Sequence, residues 1–341
     1  MASYLITGAS GFIGGHVAER LVRDGHQLRC LVRQTSNLEV LEQLELELVY
    51  GEITDQRAVE AGVDGVDVVI HLAGMTSARR YQQMLEVNRD GSWQVARACA
   101  SQPRPPVLVV VSSIAAAGPA LRGHVRSEME RPMPISNYGT SKRAGEYAAE
   151  RFADQVPTTV VRPGVVFGPR NRDLFPIYHS IDNWRVHVIL GLAPPQISLI
   201  HVEDLVEILL RAAERGHRVD PQAGTPGRGK GYYFAVCDEY PDYARLGKIL
   251  KHLIREDGRG IPAFLPSPLS WLVGGITQLV SAMLGTSITV NLDKVREAHA
   301  TGWACSTKAI REQLDFQPAA DLRSRLKETA NWYRQNGWLK S

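Results

Sequence analysis

Cysteine is scarce in this chain: four among 341 residues, Cys30, Cys99, Cys237 and Cys305. They lie far apart, with no Cys-x-x-Cys pair and no histidine at ligand spacing, which argues against a zinc site. No metal is expected, and buried free thiols are the remaining reading. Net charge is equally sparse at +3, and the basic residues are scattered. That excludes the clustered basic face of a nucleic-acid binder. The N-terminus has no basic start followed by a cleavable apolar run; it goes straight into Ser3-Tyr4-Leu5-Ile6-Thr7, so a cytoplasmic location is expected. No internal repeat is found. With 44% hydrophobic and 22% charged residues, the balance is that of a globular chain able to bury a sizeable core.

Charge is missing altogether from Ile261 to Leu292. Pro262, Pro266 and Pro268 interrupt the first part of that stretch. From Leu269 the apolar residues Leu272, Val273, Ile276, Leu279, Val280, Met283 and Leu284 fall on one helical face, opposite Ser270, Gly274, Thr277, Gln278 and Ser281. This predicts an amphipathic helix over 269–285, not a membrane span. It would pack in a core, close over an apolar pocket, or touch a membrane surface.

What is present is a regular alternation. Strands are expected at Tyr4–Thr7, Gln27–Val32, Leu46–Tyr50, Val66–Leu72, Val107–Ser112 and Thr158–Arg162. Helices are expected at Ile13–Arg23, Arg57–Ala61, Met84–Ser101 and Ser141–Asp154. Apolar strands without polar alternation belong to a parallel sheet covered on both faces, so the fold class is α/β, a doubly wound parallel sheet. After Arg162 the rhythm breaks. Strands at Ile197–Val202 and Tyr232–Val236, with a helix from Glu203 to Arg215 between them, bring the chain back to the sheet before it leaves near Cys237. Residues 219–231 read as an exposed loop. The expected division is a nucleotide-binding domain of residues 1–163 and 196–236, with a smaller, discontinuous C-terminal substrate domain of residues 164–195 and 237–341.

The first strand runs into Gly8-Ala9-Ser10-Gly11-Phe12-Ile13-Gly14 and then a helix. Glycines spaced i, i+3, i+6 between strand and helix make a tight turn, admit a phosphate to the backbone and let helix and strand pack closely. The helix start offers free N–H groups to a pyrophosphate. Gly8, Ser10, Gly11, Phe12 and Ile13 are therefore candidate cofactor residues. The second strand ends in Arg33, followed by Gln34-Thr35-Ser36-Asn37. An acid there would suit a ribose hydroxyl, whereas Arg33 and Ser36 suit a 2′-phosphate, which favours NADP while leaving NAD open.

In Tyr138-Gly139-Thr140-Ser141-Lys142 the tyrosine and lysine are four apart, on one helical face. A neighbouring ammonium stabilises a phenolate, and Lys142 can also reach a cofactor ribose. Ser112-Ser113 ends the strand Val107–Val111, so its hydroxyl can hold a substrate oxygen in the same crevice.

At this point the chain resembles the extended short-chain dehydrogenases/reductases, the NAD-dependent epimerase/dehydratase superfamily. The matching segments run in family order: Thr7 to Gly14, His71-Leu72-Ala73-Gly74, Asn88 with Gly91, Val111-Ser112-Ser113, Tyr138 to Lys142, Arg162 to Pro169, and Ile200-His201-Val202-Glu203-Asp204-Leu205. Trp332 to Trp338 is also typical of that group. The resemblance implies a Rossmann sheet, Ser113, Tyr138 and Lys142 as catalytic residues, and Glu52 and Ile53 beside adenine. It further implies Leu72, Ala73 and Gly74 along phosphate and ribose, and Pro163 to Val165 (Pro163 and Val165 foremost) at the nicotinamide carboxamide. His71 would shape the cofactor loop, Asn88 would orient a helix or water behind Tyr138, and His201 would pack.

Sugar-nucleotide members usually carry Asn where this chain has Val165, and Arg-Asp-Phe where it has Ile197-Ser198-Leu199. The Ser112 to Pro119 run looks instead like the 3β-hydroxysteroid dehydrogenase and dihydroflavonol reductase branches. The expected reaction is reversible conversion of a secondary alcohol and a ketone on a hydrophobic steroid-like, flavonoid-like or long-chain substrate. The alternatives are a nucleotide-sugar epimerase/dehydratase and a non-catalytic NADP-sensing regulator. A homodimer through helices 88–101 and 141–153 is expected by the same likeness.

Overall fold

The computed structural model describes all residues except 192, 222–225, 256–259, 270, 273–291 and 341. Eleven strands are found among the described residues: β1 (Ser3–Thr7), β2 (Gln27–Val32), β3 (Glu47–Tyr50), β4 (Val68–His71), β5 (Val107–Val111), β6 (Thr158–Pro163), β7 (Val165–Phe167), β8 (Val186–Leu190), β9 (Leu199–His201), β10 (Tyr232–Ala235) and β11 (Ile261–Leu265). Seven form one sheet in the order β10-β6-β5-β4-β1-β2-β3. All its pairings are parallel, with Ile6 opposite Cys30 and Ile70, Ile70 opposite Val109, and Val161 opposite Tyr233. This is the doubly wound Rossmann arrangement that the alternation predicts. Chain order reverses between β1 and β4, and there the crevice for a ligand opens.

Both faces of the sheet are buried, which is why its strands lack polar alternation. Ile6, Cys30, Ile70, Val109 and Tyr233 pack on one face against Val17 and Leu21 of the helix Phe12–Arg23 and Leu205 and Leu209 of the helix Val202–Arg215. Their neighbours Leu5, Leu31, Val69, Leu108 and Val160 point the other way, onto Val59, Val95 and Ala149. A third apolar cluster lies under the C-terminal part, joining Phe167, Tyr178, Leu199, Phe234, Leu246, Trp303, Leu326 and Tyr333. Cys30, Cys99 and Cys305 are buried free thiols, each pushed up to about 12 by burial; Cys237 is half-buried.

Three details differ from the sequence expectation. The helix bearing Tyr138 runs Asn137–Glu150, starting four residues earlier, because the Ser136 Oγ accepts the Gly139 N–H at 3.0 Å as its N-cap. The stretch expected as one helix from Met84 splits into Tyr81–Leu85, a π-helical turn at Glu86–Asp90, and Gly91–Ala100. Finally, β9 does not return to the main sheet. It pairs in parallel with β7, Val165 opposite Leu199, while β8 pairs with β11. Gly164 at the end of β6 has no room for a side chain, since a Cβ would lie 2.5 Å from the Ser198 carbonyl; this close crossing diverts the chain onto β9.

Of the amphipathic stretch 269–285, Leu269, Trp271 and Leu272 are described and exposed. The other residues of that stretch lie outside the described residues. No helix among the described residues is long and apolar enough to cross a membrane.

Candidate active site

The glycine loop between β1 and the first helix is held by steric necessity. Gly8 has φ +76° and a Cβ on it would sit 2.7 Å from the Ala73 nitrogen; one on Gly14 would sit 2.2 Å from the Gly8 carbonyl oxygen. Gly11, the N-cap, supplies no side chain to the helix start, so its first amides face the crevice uncapped. Beside them opens a cleft of about 390 Å³, bounded by Ser10, Gly11, Phe12, Asn37, Val40 and the segment Arg170–Asp173. Ser10 Oγ lies 3.3 Å from Ser36 Oγ, and Ser36 accepts the Arg33 N–H at 3.1 Å. Arg33 is exposed at the end of β2. Ile53 is buried, close enough to Gly91 that a Cβ there would meet it at 2.9 Å, whereas Glu52 is exposed.

The loop from Leu72 to Gly74 is fixed by a buried polar chain. Ser92 Oγ donates to the Asn88 carbonyl at 2.8 Å, so it accepts from His71 Nε2 at 3.0 Å. His71 Nδ1 is then the acceptor for the Thr7 hydroxyl at 2.7 Å, and Thr7 Oγ1 accepts the Ala73 N–H at 3.2 Å. That network assigns one neutral tautomer to His71. Burial, with Lys142 nearby, pushes its pKa down to about 3.

Asn88 sits in the π-helical turn and reaches two segments at once. Its amide nitrogen donates to Ser141 Oγ at 2.8 Å and to the Met75 carbonyl at 2.9 Å, while its oxygen accepts the Met75 N–H at 2.7 Å. It therefore pins the loop after β4 to the helix carrying Tyr138.

Ser113, Tyr138 and Lys142 converge at the carboxyl end of β5. Ser113 Oγ accepts the Ala115 N–H at 3.1 Å, which orients it, and it lies near enough to the Tyr138 phenol to act on its ionisation. Burial raises the tyrosine pKa; Lys294 and Ser113 pull it back, while Glu297 and Asp173 push it up. Lys142 donates to the Val111 carbonyl at 2.8 Å and lies 3.3 Å from where a Cβ on Gly74 would be. Burial lowers its pKa to about 8 against the opposing pull of Glu146. Pro163 ends β6, the neighbour of β5 in the sheet; beyond it the Gly164 N–H donates to the Ala235 carbonyl at 3.0 Å and the Val165 N–H to the Ser198 carbonyl at 2.9 Å.

The structure adds a segment that the sequence reading does not single out. On the helix Leu292–Ala298, Asp293 accepts the backbone N–H groups of Asn137 at 2.9 Å and Tyr138 at 3.4 Å. Lys294 Nζ lies 5.6 Å from the Tyr138 ring centre. The available sign was that these are the first charges after the uncharged stretch. His201 is buried, edge-on to Phe167 at 5.3 Å, with neither ring nitrogen hydrogen-bonded among the described residues. Its ligand atoms come within 4.8 Å of those of Glu203 and Glu328. Arg325 Nη1 already donates to both carboxylates at 2.9 Å, so a cation there would have to displace a guanidinium.

Residues 4–223 match the model of the NAD dependent epimerase/dehydratase family. The chain is 30% identical over 334 residues, 98% of its length and 95% of the relative's, to a ceramide reductase of Caulobacter vibrioides. It is 26% identical over 355 residues, covering 97% and 95%, to a dTDP-4-dehydro-6-deoxy-D-allose reductase of a Streptomyces species. Its fold is similar to that of the UDP-glucose 4-epimerase of Thermotoga maritima, with a TM-score of 0.77, 20% identity and 98% and 99% of the two chains covered. On the family match over more than half its residues, the chain belongs to the NAD dependent epimerase/dehydratase family, the extended short-chain dehydrogenases/reductases.

Proposed function

We propose that this chain is an NAD(P)-dependent oxidoreductase interconverting a ketone and a secondary alcohol on a hydrophobic, long-chain substrate. The observation that carries the reading is the convergence of Ser113, Tyr138 and Lys142 beside the Leu72–Gly74 loop. The steric fit of Gly8 and Gly14, with uncapped amides at the helix start, suits a dinucleotide pyrophosphate. A bound nicotinamide supplies or removes the hydride. Ser113 would hold the substrate oxygen, Tyr138 would give its proton to that oxygen in reduction and take it back in oxidation, and Lys142 would hold the ribose. Pro163 and Val165 would meet the carboxamide. Glu52 and Ile53 would flank adenine, and Arg33 with Ser36 would favour the 2′-phosphate of NADP over NAD.

The substrate class is supported by the ceramide reductase relative and by the neutral lining behind Val165. Ser198 is fully buried, its Oγ accepting the Cys305 N–H at 3.1 Å, and Ile197 lies in the apolar cluster, so these two residues ahead of β9 offer no cation to a diphosphate. Exposed Ile261, Phe264, Leu269 and Leu272 support approach from a lipid surface. Exposed Tyr147 on the Asn137–Glu150 helix supports a homodimer through that face. The sugar-nucleotide reading rests on the allose-reductase relative. Assaying the purified protein with NADPH against an N-acylated long-chain amino ketone and against dTDP-keto sugars separates the two. Turnover of the lipid ketone alone supports the proposal; turnover of the sugar alone overturns it.

A further inference from the structure

Tyr138 is faced by charged or hydrogen-bonding groups from several elements. Its own helix carries Lys142 one turn on, and Ser113 acts on the phenol from the end of β5. Asp173 lies before the helix Phe175–Trp184, and the helix Leu292–Ala298 brings Asp293, Lys294 and Glu297. The last three form a linked set. Ser136, the N-cap of the tyrosine helix, donates from Oγ to Glu297 Oε1 at 2.7 Å while accepting the Gly139 N–H. The other oxygen of Glu297 takes Lys294 Nζ at 3.2 Å. Asp293 holds the backbone N–H groups of Asn137 and Tyr138. The ammonium thus stands 5.6 Å from the tyrosine ring centre, on a half-exposed side chain held by a carboxylate that is itself tied to the cap of the catalytic helix. Glu297, Tyr138 and Tyr243, the last on the helix Tyr243–Ile254, all favour its charge and hold its pKa above the ordinary value, so Lys294 stays protonated at neutral pH. Lys142, by contrast, spends its ammonium on the Val111 carbonyl beside the Gly74 loop.

We propose that Lys294 is a positioning residue for proton transfer at Tyr138: a second ammonium, delivered by the C-terminal part of the chain, that favours the phenolate while Lys142 serves the cofactor ribose. The inference rests on the reading of Tyr138 as acid/base, and its test does not depend on knowing the substrate. The ionisation of Tyr138 is followed by ultraviolet difference titration, each protein being compared with the same protein carrying Tyr138→Phe. An opposite charge at this range moves a titration by about one unit. Lys294→Met should therefore raise the Tyr138 midpoint by about one pH unit, Lys294→Arg should restore it, and Glu297→Gln should lower it. Dinucleotide affinity should hold within about twofold in Lys294→Met and weaken at least about tenfold in Lys142→Met.

A purely structural clamp would not give opposite signs for Lys294 and Glu297. An unmoved midpoint in Lys294→Met, or shifts of the same sign in both variants, overturns the proposal. Should Lys294→Met not fold, Lys294→Gln, which keeps a hydrogen-bonding end without the charge, should raise the midpoint likewise, and an unmoved midpoint there overturns the proposal. Shifts of opposite sign in a protein that turns over no ketone would keep the electrostatic coupling of Lys294 to Tyr138 but remove the functional reading above, and with it the role in proton transfer.

Discussion

Asn88 Nδ2 donates to Ser141 Oγ at 2.8 Å, joining the loop after β4 to the helix that carries Tyr138 and Lys142. Ser141 in turn donates to the Tyr138 carbonyl at 2.8 Å, so the cofactor loop and the tyrosine share one hydrogen-bonded frame. Asn88→Ala would leave the Met75 N–H and carbonyl without their partners. An orphaned buried donor or acceptor costs about 1–3 kcal/mol. Denaturant unfolding should show a loss of that order, and the KM for the dinucleotide should rise more than kcat falls.

Gly14→Ala should abolish dinucleotide binding. The added carbon meets the backbone oxygen of Gly8 at 2.2 Å, and neither helix nor loop can retreat without opening the turn. Fluorescence titration with NADPH is expected to show at least about a hundredfold weaker binding, since displacement of the loop removes several amide contacts of about 1 kcal/mol each. Unchanged affinity would mean that the cofactor does not sit on this loop.

His71 and His201 are both held neutral, burial pushing each down to about 3 from the ordinary 6.5. Because each folded pKa lies below the unfolded one, the unfolded chain takes up a proton first as pH falls. Each histidine therefore contributes stability fully above about pH 6.5, and that contribution fades as pH drops toward 3, at about 1.4 kcal/mol per pH unit. His71→Gln keeps a donor and an acceptor without the titration. Its stability difference between pH 7 and 5 should be smaller than the wild type's by about 2 kcal/mol, read from urea midpoints at both values.

Arg33→Ala should narrow the preference between NADPH and NADH. Arg33 is exposed and forms no part of the core, so folding should be untouched. A charge-assisted contact to a 2′-phosphate is worth about 1.5–3 kcal/mol, or roughly a tenfold to hundredfold change in the kcat/KM ratio. A ratio that does not move rules out Arg33 as the discriminator.

The sheet and the glycine loop were legible because each leaves a local mark: apolar runs without alternation in β1, β4 and β5, and glycines where only hydrogen fits. Tyr138 and Lys142 share a helical spacing that many surface pairs also have, and only the ordered series of family-like segments made them candidates; the capping Ser136 moved their helix start. The π-helical turn at Glu86–Asp90 was not, since a one-residue slip in hydrogen bonding alters no residue type. Nor was the partner of β9, because strand pairing at Val165–Leu199 is decided by the tight crossing at Gly164. Lys294 was hidden for the plainest reason: it meets Tyr138 from 156 positions along the chain, and no spacing rule connects them.

Tyr138→Phe removes only the phenol oxygen that would move the proton in a dinucleotide-dependent ketone–alcohol reaction. Turnover and NADPH affinity should be measured on the same preparation. If the phenol oxygen acts in the chemistry and not in holding the cofactor, kcat falls by about a hundredfold to ten-thousandfold with the NADPH Kd unchanged. Turnover within about threefold of the wild type would contradict that role.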